Sequence, residues 1–223
     1  MSNVLNREGG SNPSGAGLSP VATLCNKDYQ QTGVSLRYAY DPDKQWYVFR
    51  ASYGRELKAY DYLLSKGIMV YLPFRQVVRR FGETERKVRE PILPNILFAY
   101  CSISDAEKII KFTPELSYLN YYYDHLRKTT DGKNPPLVVS FDQMRNFIMV
   151  TSTSDEHIRL IDVSKCRFKS GDKVRVTSGN FIGVEGRVAR VAGQQRVVVM
   201  IDGLCSVATA YIPTAFLQHI NND

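Results

Sequence analysis

Hydrophobic and polar positions follow two different patterns along the chain, and the change of pattern divides it. Between residues 44 and 152, strand-like segments such as QWYVFRASYG alternate with segments of helical spacing, such as Leu57, Tyr60 and Leu64. The predicted order is β-α-β-β-α-β-α, typical of a small α+β sandwich whose antiparallel sheet is covered on one face by helices. From Phe168 onward, short strands separated by glycine turns predict a small β-barrel.

Local signals predict where the helices of the first part begin and end. Gly67 can end the first helix, and a Ser-x-x-Glu capping box at 104–107 opens the second. Ser140 and Gln143 form a further capping box before the last helix. One face of that helix is lined by Phe141, Met144, Phe147 and Ile148. Between the second and third predicted strands, RRFGETERKVRE is a polar hairpin tip that carries Gly82.

These patterns divide the chain into four parts. Residues 1–43 are rich in Gly, Ser, Asn and Pro, which predicts a disordered or accessory tail. Residues 44–152 form the first folded domain, 153–165 a polar linker, and 166–223 the β-barrel domain.

Composition adds a charge argument and removes several classes of function. The net charge is +7, and the excess of Lys and Arg lies on the two predicted domains. A basic domain attracts nucleic acid or other anions, although a merely soluble basic surface has the same composition. No apolar run approaches the roughly 18 residues that span a membrane, and the first residues do not read as a secretory signal.

Metal, redox and enzyme chemistry have no support in the sequence. Cys25, Cys101, Cys166 and Cys205 lie far apart without a C-x-x-C pair, and the histidines are scattered, so we expect neither a metal nor another cofactor. Reduced thiols in the cytoplasm are the simplest interpretation. Nucleophile triads and phosphate-binding glycine loops are also missing, so we expect no enzyme.

The segment GDKVRVTSGNFIGVEGRV has a glycine pattern that brings one aromatic residue to a loop tip. Gly179 and Gly183 allow positive φ, so the chain can make a tight excursion that carries Phe181 and Ile182. Phe181 then either folds back over the mouth of the barrel or contacts a partner. The segment resembles the KOW motif of ribosomal proteins and of NusG-type transcription elongation factors.

The first domain resembles the N-terminal domain of the NusG family. WYVFRASYGRELKAYDYL is similar to its opening strand and helix, and MVYLPFRQVVRR with PILPNILFAY to its second strand, basic hairpin and returning strand. The resemblance covers about residues 44–220. Where the family has an aromatic-Pro-Gly-Tyr run, this chain has Leu93-Pro94-Asn95-Ile96. That departure and the extra tail indicate a specialised paralogue, similar to the UpxY antiterminators of capsular polysaccharide operons or to RfaH-like regulators.

The resemblance implies a non-enzymatic antitermination or elongation factor that promotes processive transcription of long operons. Its first domain would dock on the clamp helices of RNA polymerase through an apolar patch with a few buried anchors. The residues expected in this patch are Tyr53, Phe74, Leu93, Pro94, Ile96 and Phe98. Alternate members of ILPNILFAY are ordinary core residues in the competing interpretation. A ribosomal or general RNA-binding KOW protein is the alternative function.

Basic side chains are expected to contact non-template or upstream DNA beside the polymerase cleft. Those around the first helix are Arg50, Arg55 and Lys58, and those on the hairpin are Arg75, Arg79, Arg80, Arg86, Lys87 and Arg89. A solvated charged surface is the alternative. In the family the KOW barrel recruits a ribosomal protein or a termination factor, for which Phe181 and Ile182 are the expected contacts. Tyrosines of YYYDH at 121–125 could stack on bases, but alternate burial in a strand is favoured.

Overall fold

The computed structural model describes residues 40–153, 158–162, 167–191 and 193–220, and these form an α+β fold. Its α-helices are α1 (Glu56–Ser65), α2 (Ile103–Lys111) and α3 (Phe141–Thr151). Its strands up to α3 are β1 (Gln45–Ala51), β2 (Met69–Tyr71), β3 (Phe74–Phe81), β4 (Thr84–Pro91), β5 (Ile96–Cys101), β6 (Leu119–Tyr121) and β7 (Val138–Val139). The later strands are β8 (Arg159–Leu160), β9 (Arg167–Val176), β10 (Glu185–Val191), β11 (Gln194–Ile201), β12 (Cys205–Tyr211) and β13 (Leu217–His219).

The first sheet has five strands and is buried on both faces. Its order is β2-β5-β1-β6. Strand β7 also pairs with β1, on the same edge as β6 but at the opposite end of β1. Alternate residues of β1 enter different cores: Tyr47 and Phe49 pack with α1 and α2, whereas Trp46 and Val48 pack with α3. The prediction of helices on one face only is therefore wrong, because α3 covers the second face.

The β3–β4 hairpin pairs with neither sheet among the described residues. Its ladder runs from Phe74 opposite Pro91 to Phe81 opposite Thr84, and Gly82 turns the chain at φ +63°. The segment IMVYLPFRQVV was predicted as one strand but is divided at Leu72-Pro73 into β2 and β3. Proline has no N–H to donate to a ladder, which explains the break.

The second sheet has six antiparallel strands in the order β13-β9-β10-β11-β12-β8, a path that does not close on itself. Strand β8 lies within 153–165, the predicted linker, and pairs with β12 through Leu160 opposite Val207. The turn predicted at Gly171-Asp172 is instead an irregularity inside β9, where the register with β10 shifts. Residues 154–157 and 163–166 lie outside the described residues.

Helix α3 lies between the two sheets and joins their cores. Phe147 packs against Phe98 of the first sheet, and the same apolar cluster continues through Met149 to Phe181 and Val197 of the second. Asn146 Oδ1 accepts the backbone N–H of Glu185 at 2.9 Å. The sequence predicted one apolar face on this helix, but nearly every side chain from Met144 to Thr151 is buried.

The capping predictions are confirmed in part for one helix and shifted for another. Ser140 Oγ accepts the N–H of Gln143 at 3.3 Å, although the Gln143 side chain donates to Asp202 of the second sheet instead of returning to the cap. Helix α2 begins two residues earlier than predicted, because Ser102 and not Ser104 caps it.

The last residues of the predicted tail pack onto the first sheet. The Tyr40 ring meets the edge of Phe141 at 5.3 Å, and the Tyr100 hydroxyl donates to the carbonyl of Asp41 at 2.9 Å. The rest of the tail prediction, residues 1–39, lies outside the described residues.

Candidate nucleic-acid and partner-binding surface

A strained single turn follows β1 and presents one aromatic ring to solvent. Tyr53 has φ +61° and Gly54 has φ +65°, both in the left-handed region. The side-chain oxygen of Asn95 accepts the Gly54 N–H at 2.9 Å, while the Asn95 carbonyl accepts the Ala51 N–H at 2.8 Å. The carbonyl of Tyr118 holds the other side of the turn through the Ser52 N–H at 2.9 Å. Tyr53 is 89% exposed despite this scaffold.

Two cations of the α1 region lie against aromatic rings beside this turn. The Arg55 guanidinium is 5.6 Å from the Tyr53 centroid and 5.2 Å from that of Tyr118, and Lys58 Nζ is 5.8 Å from the latter. Burial raises the pKa of Tyr118, and the charge of Arg55 opposes that rise. The Tyr118 ring is therefore a neutral phenol at physiological pH, against which both cations can stack.

The base of the hairpin packs against α1, so two elements that carry exposed cations are in contact. The Phe74 ring meets Tyr60 of α1 edge-on at 6.4 Å, and the Arg89 guanidinium lies 5.1 Å from the Phe74 centroid on the hairpin side. Phe74 is partly buried in this position.

Both faces of the hairpin are basic. Side chains alternate across a two-stranded ribbon, so each face carries three cations and one glutamate close to them. One face has Arg75, Arg79 and Arg86 with Glu90, and the other has Arg80, Lys87 and Arg89 with Glu85. Glu90 Oε1 accepts Arg79 Nε at 2.6 Å, and its other oxygen is 3.6 Å from Arg75.

One cross-strand pair of like charges lowers the stability of this hairpin. Arg79 lies directly opposite Arg86, and like charges in that position destabilise a strand pair. An isolated ribbon in water is marginally stable already. A charge arrangement that disfavours the free hairpin is suited to a polyanionic ligand.

The structure places all nine of the basic residues predicted to bind nucleic acid on the surface. They are Arg50, Arg55, Lys58, Arg75, Arg79, Arg80, Arg86, Lys87 and Arg89. Arg50 stands apart at the end of β1, where it pairs with Ile96 on one side and Asn120 on the other.

The residues predicted to bind polymerase differ widely in exposure. Tyr53 and Pro94 are exposed, whereas Leu93 and Ile96 are 8% and 7% exposed. Phe98 is fully buried, with its ring 5.5 Å from Phe147 of α3. In this conformation Phe98 supports the patch from within and cannot touch a partner, because the sheet is covered on both faces.

The glycine-flanked loop turns its aromatic residue inward. Phe181 is 6% exposed and joins the core shared with α3, whereas Ile182 is 57% exposed. Gly179 and Gly183 have φ near +83° and +85°, as expected from the glycine pattern. Of the two predicted partner contacts, Ile182 is the one that solvent reaches.

Sequence reasoning missed two residues that build the strained turn. The sequence pattern assigns no role to Tyr118, but its ring lies beneath two cations. Asn95 has φ +64°, and Asn tolerates this region better than other side chains that are not glycine. The signal was present, since Asn stands where the resembling family has Gly.

The remaining chemistry of the described residues is limited. Burial raises the pKa of Cys101 and of Cys205 to about 12, so neither is a thiolate at neutral pH. In that part of the chain no three His, Cys, Asp or Glu side chains are grouped as metal ligands would be. No helix there has the length and apolar character needed to cross a bilayer. Cys25 and Cys166 lie outside the described residues.

Comparison with known proteins finds similarity over the segment that carries this surface. Residues 44–148 match the NusG family model, described as transcription termination factor nusG. The chain is also 25% identical over 179 residues to the transcription termination/antitermination protein NusG of Thermus thermophilus, in an alignment that covers 71% of this chain and 90% of that protein. The first sheet, the basic hairpin, α1, α2 and most of α3 therefore lie within the segment, residues 44–148, that matches the NusG family model.

Proposed function

We propose that this chain is a non-enzymatic transcription factor of the NusG type, which binds RNA polymerase and regulates elongation and termination. The match of residues 44–148 to the NusG family model carries the proposal. The similarity to a termination/antitermination protein, which extends over most of both chains, supports it.

Polymerase would be contacted beside the loop from Leu93 to Ile96. Pro94 is exposed at its tip, and Phe74 is partly buried nearby at the base of the hairpin. A clamp helix could bury Pro94 directly, while Leu93 and Ile96 give the loop an apolar base. The occupant we propose is the clamp-helix pair of RNA polymerase.

The basic surface would lie along DNA at the upstream edge of the transcribing enzyme. Cations on both hairpin faces allow the ribbon to sit between phosphate backbones, and a two-stranded ribbon fits the major groove. Arg55 and Lys58 extend the basic surface toward the displaced non-template strand.

The part of the second sheet within residues 166–223, β9 to β13, would be the KOW domain, which recruits a ribosomal protein or a termination factor. Ile182 offers the exposed contact, and Phe181 supports the loop from below. We further propose cytoplasmic action on long operons, such as those for capsular polysaccharide, in the manner of UpxY or RfaH-like antiterminators.

Binding to polymerase can be tested with the full chain and purified core enzyme on a DNA–RNA scaffold. We expect retention of the wild-type chain, and weaker retention when Pro94→Asp places a charge in the apolar contact. An Asp131→Asn variant, changed in an exposed loop after β6, is the control and should bind as wild type. Retention of RNA alone without polymerase would instead support the general RNA-binding alternative.

The DNA contact can be tested by charge removal. The triple variant Arg80→Gln, Arg86→Gln, Lys87→Gln should weaken binding to duplex DNA and reduce the salt slope by about 0.9 for each phosphate that is no longer neutralised. Its control removes three exposed lysines elsewhere, Lys108, Lys128 and Lys133, with the same change in net charge. Equal slopes for the two triple variants would contradict the assignment of the hairpin.

Operon specificity is a separate test, made by mapping where the protein occupies the chromosome. Occupancy of one long operon from its leader onward is the result expected for a specialised antiterminator. Occupancy of most transcribed genes would indicate a general elongation factor instead.

A further inference from the structure

Among the described residues, Tyr53 has the most exposed aromatic ring, and hydrogen bonds fix the turn that carries it. Tyr53 is 89% exposed, yet its turn is fixed from two sides by the hydrogen bonds of Asn95 and of the Tyr118 carbonyl. Non-glycine residues with positive φ persist only where the surrounding structure enforces them, and such sites are concentrated at ligand contacts. The scaffold therefore holds in place a ring that contributes little to the core.

The surroundings of this ring select the kind of ligand. Arg55 lies between Tyr53 and Tyr118, at 5.6 Å and 5.2 Å from the two centroids, and Lys58 adds a second cation. The neighbouring acid, Glu56 at the start of α1, is buried at 6% exposure and so does not add negative charge to this surface. An exposed π-face next to clustered positive charge fits a ligand that has both flat rings and phosphates.

We propose that Tyr53 is a base-stacking site for single-stranded nucleic acid, with Arg55 and Lys58 on the adjoining phosphates. This inference rests on the proposed function, in which the displaced DNA strand passes this edge of the first sheet. A base in a single strand offers a free face to an aromatic ring, whereas a base within a duplex is already stacked on its neighbours. Tyr53 is thereby assigned to nucleic acid and not to the apolar patch around Pro94.

The site can be tested with the full chain and a fluorescently labelled oligonucleotide of about 12 thymidines, without polymerase. Tyr53→Gly removes the ring but suits the backbone at φ +61°, so the fold should be retained. We expect Tyr53→Gly to weaken binding about 5- to 150-fold, the range for loss of one stacked base. Tyr53→Phe keeps the ring and should bind as wild type.

A matched control and a salt series separate stacking from charge. Leu57→Ala removes a half-exposed side chain from the next turn of α1 and should not change affinity. Tyr53→Gly should leave the salt slope unchanged, whereas Arg55→Gln should reduce it by about 0.7, the value for one phosphate on a single strand.

Two results would overturn the site. Unchanged affinity of Tyr53→Gly for the oligonucleotide is one, and equal competition by duplex and single strand is the other. If Tyr53→Gly instead lost retention by core polymerase alone, the ring would be a protein anchor. Failure of the wild-type chain to bind polymerase, with oligonucleotide stacking intact, would remove the proposed function and leave the site standing.

Discussion

At the scale of single residues, Asn95 connects two segments that are far apart in the sequence. Its backbone adopts φ +64°, its side chain holds Gly54, and its carbonyl holds Ala51. Glycine would accept the backbone angle but could not supply the side-chain acceptor. Asn95, where the resembling family has Gly, therefore gives up some backbone freedom but gains a hydrogen bond between its loop and the Tyr53 turn.

Replacing Asn95 should separate its two contributions to stability. Asn95→Gly loses the acceptor for Gly54 and should reduce the free energy of unfolding by about 1 kcal/mol. Asn95→Ala also strains the backbone and should cost about 2–3 kcal/mol in total. Denaturant unfolding measures both, with Asn120→Ala, at the exposed position of β6, as a control expected within about 0.5 kcal/mol of wild type. Equal stability of the Gly and Ala variants would contradict the role of the backbone angle.

Asp124 should make stability depend on acid pH. The Leu126 N–H at 2.8 Å and Arg127 at 2.7 Å stabilise its carboxylate and lower its pKa, although desolvation opposes them. Its contribution is complete above the unfolded pKa of about 3.9 and is lost as the pH falls through the lower folded pKa. Asp124→Asn should therefore be less stable than wild type at pH 7, and the difference should shrink below about pH 4.

Thermal unfolding across this pH range measures the difference, with Asp131→Asn on the same exposed loop as the control. A gap between Asp124→Asn and wild type that stays constant down to pH 2 would show that the carboxylate charge is not what stabilises the loop.

At the scale of elements, α3 owes its position to polar as well as apolar contacts. Asn146 is 7% exposed and accepts the Glu185 N–H across the boundary between the two sheets. Asn146→Ala leaves that donor without a partner and should destabilise the fold by about 1–3 kcal/mol. Asn146→Leu keeps a similar volume but also lacks the acceptor, so comparing the two variants separates loss of the bond from loss of shape. Unfolding of Asn146→Ala at the wild-type denaturant midpoint would contradict this role.

Elements with strong local signals could be predicted from the sequence, whereas their tertiary roles could not. The Ser140 cap and the Gly82 hairpin follow from side-chain and backbone chemistry within a few residues. Strand β8 has only two residues, too few for a period to be visible. Its pairing with β12 depends on a segment nearly 50 residues away, which local patterns do not contain.

The residues of the candidate site also differ in how far the sequence could predict their positions. Exposure of the nine cations was predictable, because Arg and Lys are rarely buried without a partner. Burial of Ile96 and Phe98 was not, because both strand faces are apolar and the covering helix α3 starts some 40 residues later. Periodicity shows which residues share a face but does not show what packs on it.

At the scale of the whole molecule, one core cluster runs from the first sheet through α3 into the second. Phe181→Ala should therefore lower the free energy of unfolding by about 3–5 kcal/mol and reduce amide protection in β5 as well as β11. Native-state hydrogen exchange measures this, with the exposed neighbour Ile182→Ala as the control. Loss of protection confined to the second sheet would show that the sheets unfold independently.

The β3–β4 hairpin touches the rest of the described structure at its base and forms a sheet of its own, so its outer part can be exchanged. Its eight-residue strands bond to each other and, among the described residues, to neither sheet, so its outer sequence can vary without disturbing a buried ladder. Mutations can change the length of the hairpin and the charge of its tip while the rest of the fold stays constant. Related chains could in this way acquire different targets by exchanging one ribbon, a change that homologous recombination or a short designed graft can make in a single step.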